Sequence, residues 1–335
     1  MAGCGKAHLR GSTALLSVED LVVEFPAGRR TTIHAVSGIS FDVLEGETLG
    51  VVGESGCGKS ATARAIMQLP PPNSGSVIFD GEQMTQLSKE NLRRSRTRMQ
   101  MIFQDPISSL NPRRKVNEIV AEGLSIWHTD SDDIAIRRVH AMLEAVGLDP
   151  KAVENRRPHQ FSSGQCQRIC IARAMILDPK LIICDEPVSA LDVSVQAQIL
   201  NLLTNMKKRY GLTLVFIAHD LAVVKNVSDR VVVMYLGKIC EVADPDRLYT
   251  HAAHPYTDIL LASVPKPDPH MPIPKLQITG ELPSPINPPS GCRFRTRCTK
   301  AQDVCAVQEP SLQKISSNHF VACHFPNETS THVAI

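Results

Sequence analysis

The chain has 335 residues, enough for one catalytic domain of about 200 to 250 residues and an appendage. Its 36 basic and 34 acidic side chains give a net charge of +2, so no global field favours nucleic acid or an anionic membrane surface. No apolar run approaches the roughly 18 residues of a membrane span, and the first residues lack an apolar signal core, so a cytosolic protein is expected.

The first segments alternate between apolar and polar residues. LLSVEDLVVEF begins at Leu15, IHAVSGISFDV begins at Ile33, and the polar turn LEGE follows. This period of two is typical of strands joined by turns. It predicts a small antiparallel β-subdomain, preceded by a tail at residues 1–14.

Residues 53–60 read GESGCGKS, a complete GxxxxGK[ST] phosphate loop between an apolar strand and the helix-forming run KSATARAIMQ. Glycines let backbone N–H groups turn inward around phosphate oxygens, and the helix N-terminus adds its positive dipole end. In such a loop Lys59 reaches the β- and γ-phosphates and the Ser60 hydroxyl ligates Mg²⁺. A mere glycine-rich turn is the weaker interpretation. The predicted nucleotide contacts are Gly53, Ser55, Gly56, Cys57, Gly58, Lys59, Ser60 and Ala61.

Helical and loop-rich sequence follows from about residue 106 to 175. It includes AIRRVHAMLEAVGL, an amphipathic helix that ends at Gly147. Two strongly apolar segments come next, at residues 181–184 and 214–218, and the helix VSVQAQILNLLTNMKKRYG separates them. Strand, helix and strand in this order predict a parallel sheet.

The first of these apolar strands runs into two carboxylates, Asp185 and Glu186. The C-terminal edge of a parallel sheet meets the ligand crevice, so Asp185 is placed to hold Mg²⁺ through its water shell. Glu186 is placed to accept the proton of an attacking water. Taken alone, the pair is equally compatible with an acidic turn that ends a strand.

A second helix start that could face an anion lies in QFSSGQCQR, where Ser162, Ser163, Gly164 and Gln165 precede the helix ICIARAMIL. An ordinary N-cap explains these residues on their own. An ordinary N-cap does not explain why these residues occur together with the phosphate loop and the acidic pair.

Taken in order, the phosphate loop, FQDP at Gln104, FSSGQ, CDEPVSALD and IAHD resemble the ATPase subunit of ABC transporters over residues 15–262. The resemblance implies an α/β P-loop NTPase cassette with a parallel-sheet core, an N-terminal antiparallel β-subdomain and a helical subdomain at about 106–175. Residues 263–335 then form a proline-rich connector and a small cysteine-rich C-terminal extension.

The resemblance also implies roles for residues outside the phosphate loop. Gln104 senses Mg²⁺ and the attacking water and contacts the membrane subunit, while His219 holds the γ-phosphate and Glu186. Asp192 lies in the loop that links the sites of two subunits. Phe25 matches the aromatic residue that stacks on adenine. By themselves, Phe25 is as compatible with a core position, and His219 with a structural histidine.

The family mechanism implies an assembly. Two ATPase subunits close head to tail, and each signature helix caps the γ-phosphate of the other's ATP. The implied partners are two integral membrane permease subunits, a paralogous second ATPase subunit and an extracytoplasmic solute-binding protein, with no nucleic acid. The location implied is peripheral, at the cytoplasmic face of the cell membrane.

One departure from the family pattern concerns this signature, in which Ser163 occupies the place of its first glycine. A Cβ there could weaken the close approach of the backbone to phosphate, and Cys166, where Arg is common, acts in the same direction. We hypothesise that the site formed with the partner's phosphate loop is the slower one.

The C-terminal sequence narrows the class. HPYTDILLASVP and GELPSPINPPSGCRFRTRC resemble the extension of dipeptide, oligopeptide and nickel uptake ATPases, and nine prolines between Val264 and Gly291 predict a stiff, extended connector. Six of the ten cysteines, at positions 4, 57, 166, 170, 184 and 240, are predicted to be buried small hydrophobes.

The other four cysteines are Cys292, Cys298, Cys305 and Cys323. Their spacing matches neither common zinc modules nor bacterial ferredoxins, so Zn²⁺, a [4Fe–4S] cluster and unligated thiols all stay open. The resemblance favours [4Fe–4S]. The neighbouring cations Arg293, Arg295, Arg297 and Lys300 would offset the charge of either metal site.

The sequence therefore predicts an ATPase that energises import of dipeptides, oligopeptides or a related small solute, with ATP and Mg²⁺. The alternative is a soluble ABC ATPase acting on ribosomes or DNA, but such proteins usually carry two cassettes or long coiled coils. A stand-alone kinase-like phosphoryl transferase is not favoured, because the sequence has no segment that would bind a phosphate acceptor.

Overall fold

The computed structural model describes residues 5–11, 13–28, 31–127, 131–264 and 281–327. Two compact units contain them. The first unit comprises Met1–Leu87 and Ala218–Ile335, and the second comprises Ser88–Ile217. The chain thus leaves the first unit once and returns to it.

The first part of the first unit is mostly strand. Apolar residues alternate with polar ones along the two long strands, and the apolar set is buried, as at Leu16, Val18 and Phe41. The elements are β1 (Ala14–Pro26), β2 (Thr32–Leu44), β3 (Thr48–Val52), α1 (Lys59–Ile66), β4 (Ser74–Phe79) and β5 (Glu82–Gln83). The antiparallel sheet has the order β2-β1-β4-β5.

The second unit contains a parallel sheet and most of the helices. Its elements are α2 (Lys89–Arg98), β6 (Met99–Ile102), α3 (Val116–Trp127), α4 (Asp132–Ala145), α5 (Pro150–Val153), α6 (Ser163–Met175), β7 (Leu181–Asp185), α7 (Val193–Tyr210) and β8 (Thr213–Ala218). Strand β7 pairs in parallel with both β6 and β8. Every residue of β7 and β8 is buried, which explains their continuous apolar sequence.

The chain then completes the first unit. Its elements are α8 (Leu221–Val227), β9 (Arg230–Tyr235), β10 (Lys238–Ala243), α9 (Pro245–Thr250), α10 (Pro255–Ala262), α11 (Val304–Val307), β11 (Gln313–Ser316) and β12 (His319–Val321). Strand β9 is parallel to β3 and antiparallel to β10. Strands β12 and β11 of the C-terminal extension continue this sheet beyond β10.

The extension contacts β10 through a buried hydrogen bond between His319 and Glu241. His319 Nε2 lies 2.6 Å from Glu241 Oε1, and both side chains are fully buried. The Glu241 carboxylate also accepts backbone N–H groups of Ala253 and His254 at 2.8 and 2.9 Å. A buried carboxylate needs this many partners to offset its lost hydration, so the contact specifies where the extension docks.

The sequence prediction of an antiparallel β-subdomain before the phosphate loop, and of a parallel sheet after it, is confirmed. The helix predicted to end at Gly147 is α4, whose last residue is Ala145. The predicted connector lies mainly at residues 265–280, outside the described residues. Among the residues described, no helix is long and apolar enough to cross a membrane.

Candidate nucleotide-binding site

The phosphate loop leaves β3 at a position that only glycine tolerates. Gly53 has φ +156°, and a Cβ on it would lie 2.1 Å from the carbonyl oxygen of Met234 and 2.7 Å from Cys57 Sγ. Gly58, at φ +106°, would place a Cβ 2.2 Å from the carbonyl oxygen of Ala35. Backbone atoms cannot yield to such contacts, so both motif glycines are required by packing as well as by backbone conformation.

The lysine of the loop is held by the loop itself. Lys59 is only 4% exposed, and its Nζ donates to the carbonyl oxygens of Gly53 at 2.8 Å and Glu54 at 3.1 Å. The N–H of Cys57 also donates to the carbonyl of Glu54, at 3.2 Å. Carbonyl groups of the loop itself therefore orient the ammonium group.

Helix α1 starts without a side-chain cap. Its N-cap is Gly58, in the left-handed region, and no side chain accepts a hydrogen bond there. Ser55 and Gly56 are exposed at the outer turn, whereas Cys57 is buried, and burial raises the pKa of its thiol. Ser60 and Ala61, in the first turn of α1, are half-buried. A helix start without its own cap suits an anionic ligand.

Phe25 lies near the end of β1, opposite Ile33 of β2. Its side chain is half-buried and is not part of the hydrophobic core of the first unit. An aromatic ring partly open to solvent at a strand end can stack on a ligand.

In the second unit, the structure brings Gln104 and Glu186 together. Gln104 Nε2 donates to Glu186 Oε2 at 3.0 Å, across 82 residues of sequence. The pairing follows from the parallel register of β6 and β7, because Gln104 lies just after β6 and Glu186 just after β7. The predicted catalytic pair is thus within hydrogen-bonding reach.

Glu186 also has an unusual backbone. Its φ of +48° places it in the left-handed region, which costs a non-glycine residue roughly 1 to 3 kcal/mol. Its N–H donates to the carbonyl of Ile217 at 3.0 Å, which holds this conformation. Strain of this kind concentrates at functional sites. The preceding residue, Asp185, ends β7 and is 2% exposed.

His219 directly follows β8 in sequence and belongs to the first unit, where its side chain is exposed. Asp192 caps the start of α7. Its Oδ1 accepts from Val195 N at 3.2 Å and from Ser194 Oγ at 2.9 Å, and these bonds lower the pKa of the carboxyl. Asp192 is therefore committed to the helix start in this chain.

The signature segment forms a complete capping box at the start of α6. Gln165 N donates to Ser162 Oγ at 3.3 Å, and Ser162 N donates back to Gln165 Oε1 at 3.1 Å. Ser163 is the first helical residue and is half-buried. Gly164 is buried, and a Cβ there would lie 2.6 Å from Val195 Cγ1 of α7. The second of the predicted anion sites is thus closed by its own side chains.

Five of the six cysteines predicted to be buried, those at positions 57, 166, 170, 184 and 240, are buried and free, which confirms the prediction for them. Cys4 lies outside the described residues. Burial raises the pKa of Cys166 to about 11 and that of Cys184 to about 12. These thiols stay neutral and act as small core side chains.

The four cysteines of the extension behave differently from the prediction. Cys292, Cys298 and Cys323 are half-buried and Cys305 is buried. Within the described residues, which include all four, no three His, Cys, Asp or Glu side chains form a group that could hold a metal ion. Burial raises the pKa of Cys323 to about 11; the hydrogen bond from the Phe325 N–H opposes this, and the other three thiols add to it. The arrangement seen therefore does not fit a cluster.

Two contacts of the phosphate loop were missed by the sequence reasoning. Arg297 pairs with Glu54, and the Tyr256 hydroxyl accepts the Glu54 N–H. Arg297 was interpreted only as a counter-charge for a metal site. The arginine-rich run GCRFRTRC was the available signal, but nothing in it identifies a partner 243 residues away.

Comparison with known proteins gives matches to two families. Residues 36–189 match the ABC transporter family, and residues 240–305 match the oligopeptide/dipeptide transporter C-terminal region. The chain is 53% identical over 295 residues to the oligopeptide transport ATP-binding protein OppF of Haemophilus influenzae, covering 87% of this chain and 89% of that one. It is 52% identical to OppF of Escherichia coli, covering 95% and 98%.

Solved structures agree in fold. A dimeric, post-hydrolysis state of the ATP-binding cassette MJ0796 bound to ADP and phosphate matches with a TM-score of 0.63 and 27% identity, over 69% of this chain and 98% of that one. The cbiO1 protein of Clostridium perfringens, part of an ABC transporter complex, gives a TM-score of 0.63 and 28% identity, over 71% and 91%.

Proposed function

The chain belongs to the ABC transporter ATP-binding subunits, in the oligopeptide and dipeptide class, and from this premise we propose the part that each site residue plays. As a member it is an ATPase that energises peptide import. The observation that carries the assignment of roles is the conformation of the phosphate loop. A Cβ on Gly53 or Gly58 would collide with neighbouring backbone, and Lys59 donates a hydrogen bond to the loop carbonyl of Gly53.

The phosphate loop is proposed to bind the ATP phosphates through its N–H groups and Lys59, with Phe25 on the adenine. Ser60, Gln104 and Asp185 are the proposed Mg²⁺ ligands; they offer hydroxyl, amide and carboxylate oxygens, the donors this ion prefers. Bound Mg²⁺ would neutralise part of the phosphate charge.

Glu186 is proposed as the general base for the attacking water. Its hydrogen bond to Gln104 and its left-handed backbone support this role, since both hold the carboxylate in one place. His219 is proposed to hold the γ-phosphate.

Closure needs a second subunit in this proposal. The residues Ser162, Ser163, Gly164 and Gln165 would cap the ATP of a partner ATPase, which we propose to be a paralogue. Two permease subunits and an extracytoplasmic solute-binding protein complete the proposed assembly, in which this chain lies at the cytoplasmic face of the membrane. We keep residues 15–262 as the cassette and 263–335 as connector and extension.

The [4Fe–4S] assignment stays a prediction of the sequence. The absence of a metal-ligand group among the described residues counts against it. No step of the mechanism passes through a cluster. Iron analysis and visible absorption of protein purified without oxygen test it directly.

The function is tested in proteoliposomes that contain the chain, its partner ATPase and both permeases, supplied with binding protein, peptide and ATP. Lys59→Ala should abolish ATP binding at this site. Glu186→Gln should keep binding and lower hydrolysis by about 10²-fold or more, because the general base is lost. Uptake that persists unchanged in both variants, or co-purification with ribosomes instead of permeases, would contradict the proposal.

A further inference from the structure

Glu54, the second residue of the phosphate loop, is held by an arginine from the C-terminal extension. Arg297 Nη1 donates to Glu54 Oε2 at 2.8 Å, and Nη2 donates to Oε1 at 3.1 Å. Nη1 also lies 3.4 Å from the Tyr235 hydroxyl. This is the two-pronged geometry that only arginine provides, and all three residues belong to the first unit.

The pair is placed where its charge matters. The Arg297 side chain is 9% exposed and that of Glu54 is 26% exposed, so water screens the pair only partly. The bond to Glu54 raises the pKa of Arg297, which stays charged. Without the arginine, a carboxylate within the loop would stand uncompensated beside a bound polyanion and repel it.

The backbone of Glu54 is held from the same side. Its N–H donates to the Tyr256 hydroxyl at 2.8 Å. The Tyr256 ring packs with Tyr235 and with Phe294 of the extension, at centroid distances of 4.7 and 5.4 Å. Arg293 adds a hydrogen bond to the carbonyl of Leu236. The contacts of the extension with the loop region therefore come from several residues between Cys292 and Cys298.

Stability alone is a poor explanation for Arg297. Its Nε is buried and has no hydrogen-bond partner among the described residues, so part of its desolvation cost is not offset by a hydrogen bond. Buried ion pairs are often no more stabilising than apolar replacements. What the pair does provide is a defined orientation for the Glu54 carboxylate.

We propose that Arg297 is a positioning residue for the phosphate loop: by holding the Glu54 carboxylate, it makes ATP affinity depend on the docked C-terminal extension. The inference rests on the proposed function, since it requires that this loop binds ATP. The extension then acts on the reaction through Glu54, without touching the nucleotide.

The test measures ATP affinity of the full-length chain by calorimetry, and KM and kcat of the assembled complex. Arg297→Ala should weaken ATP binding and raise KM by roughly tenfold, with kcat within about twofold, as expected of coupling between adjacent sites. Arg297→Lys should fall between, because it keeps the charge and loses the fork. Arg295→Ala is the matched control, since the hydrogen bonds of the Arg295 side chain go to Ser290 and, among the described residues, none goes to the phosphate loop.

The double variant separates positioning from folding. Glu54→Gln removes the carboxylate that Arg297 compensates, so adding Arg297→Ala to it should change affinity by less than about twofold. An Arg297→Ala affinity equal to wild type would overturn the inference, as would an equal loss in Arg295→Ala or in the Glu54→Gln background. Wild-type chain that binds no ATP would instead defeat the proposed function.

Discussion

The phosphate loop and the signature segment both start a helix with small polar residues, yet they treat the helix start in opposite ways. At α1 the N-cap is Gly58 and no side chain caps the turn. At α6, Ser162 and Gln165 cap each other's backbone. The first helix start thus has no side-chain cap, whereas the second is capped by its own side chains.

Under the proposed function, the chain would contain two kinds of anion site. The phosphate loop is shaped by contacts within its own unit, from Met234, Ala35 and the extension. In the proposed function, the signature would exchange its own capping bonds for the γ-phosphate of the partner's ATP. A site that is complete only with a second copy or a paralogue suits a clamp that opens and closes.

The largest loss of stability should come from Gly53→Ala, which tests the claim that contacts within its own unit shape the phosphate loop. Its Cβ would enter the carbonyl of Met234, and the chain cannot relax without moving β9, so we expect a loss of about 4 kcal/mol or more and no ATP binding. Urea unfolding and nucleotide titration measure it. Gly56→Ala is the control: a Cβ there meets nothing within 4 Å, and only backbone strain of about 1 kcal/mol remains. Equal effects of the two variants would remove the packing argument.

Acid should destabilise the packing around the phosphate loop at a higher pH than it affects the signature segment. Burial lowers the pKa of His254 to about 4, partly opposed by Glu241, and its Nδ1 accepts the Tyr256 N–H at 3.0 Å. Because the folded pKa lies below the unfolded value of 6.5, the stability is present above pH 6.5 and is lost as pH falls towards 4. Between pH 7 and 4.5 this amounts to about 2.5 kcal/mol.

The measurement is the free energy of unfolding against pH for wild type and His254→Gln, which keeps a hydrogen-bonding side chain without the titration. The variant should have the shallower acid limb. Parallel curves for wild type and His254→Gln would show that this histidine does not govern acid sensitivity.

A smaller effect is expected for Ser162→Ala, which opens the capping box of the signature. Loss of the cap should cost about 1 kcal/mol, measured by urea unfolding. Ser88→Ala removes the comparable cap of α2, where Ser88 Oγ accepts from Asn91 N, and should cost a similar amount. Only Ser162→Ala should alter ATPase activity of the assembled complex. If both caps alter it equally, the signature has no special role.

The smallest change in stability belongs to Ser163→Gly, within about 0.5 kcal/mol. It restores the family glycine, so we expect faster hydrolysis at the site formed with the partner's phosphate loop. The ATPase rate of the complex with and without the change decides it. An unchanged rate would count against the slower-site hypothesis.

Particular residues show which features could be predicted from the sequence. The phosphate loop, the strand ending at Asp185 and the cap at Ser162 were all predicted, because each depends on residues only a few positions apart. The four cysteines were predicted to hold a metal, and the arrangement of their side chains does not form such a group. The spacing of cysteines along a loop-rich segment does not determine the directions in which their side chains point.

By itself the sequence determined the local chemistry: where the backbone must accept positive φ, where a helix starts, and which strands are buried. Those properties follow from steric limits and side chain to backbone bonds over a few residues. Tertiary structure alone decided that Gln104 meets Glu186 and that Arg297 meets Glu54, across 82 and 243 residues. Such partners are chosen by strand register and by the docking of the extension, which no local pattern encodes.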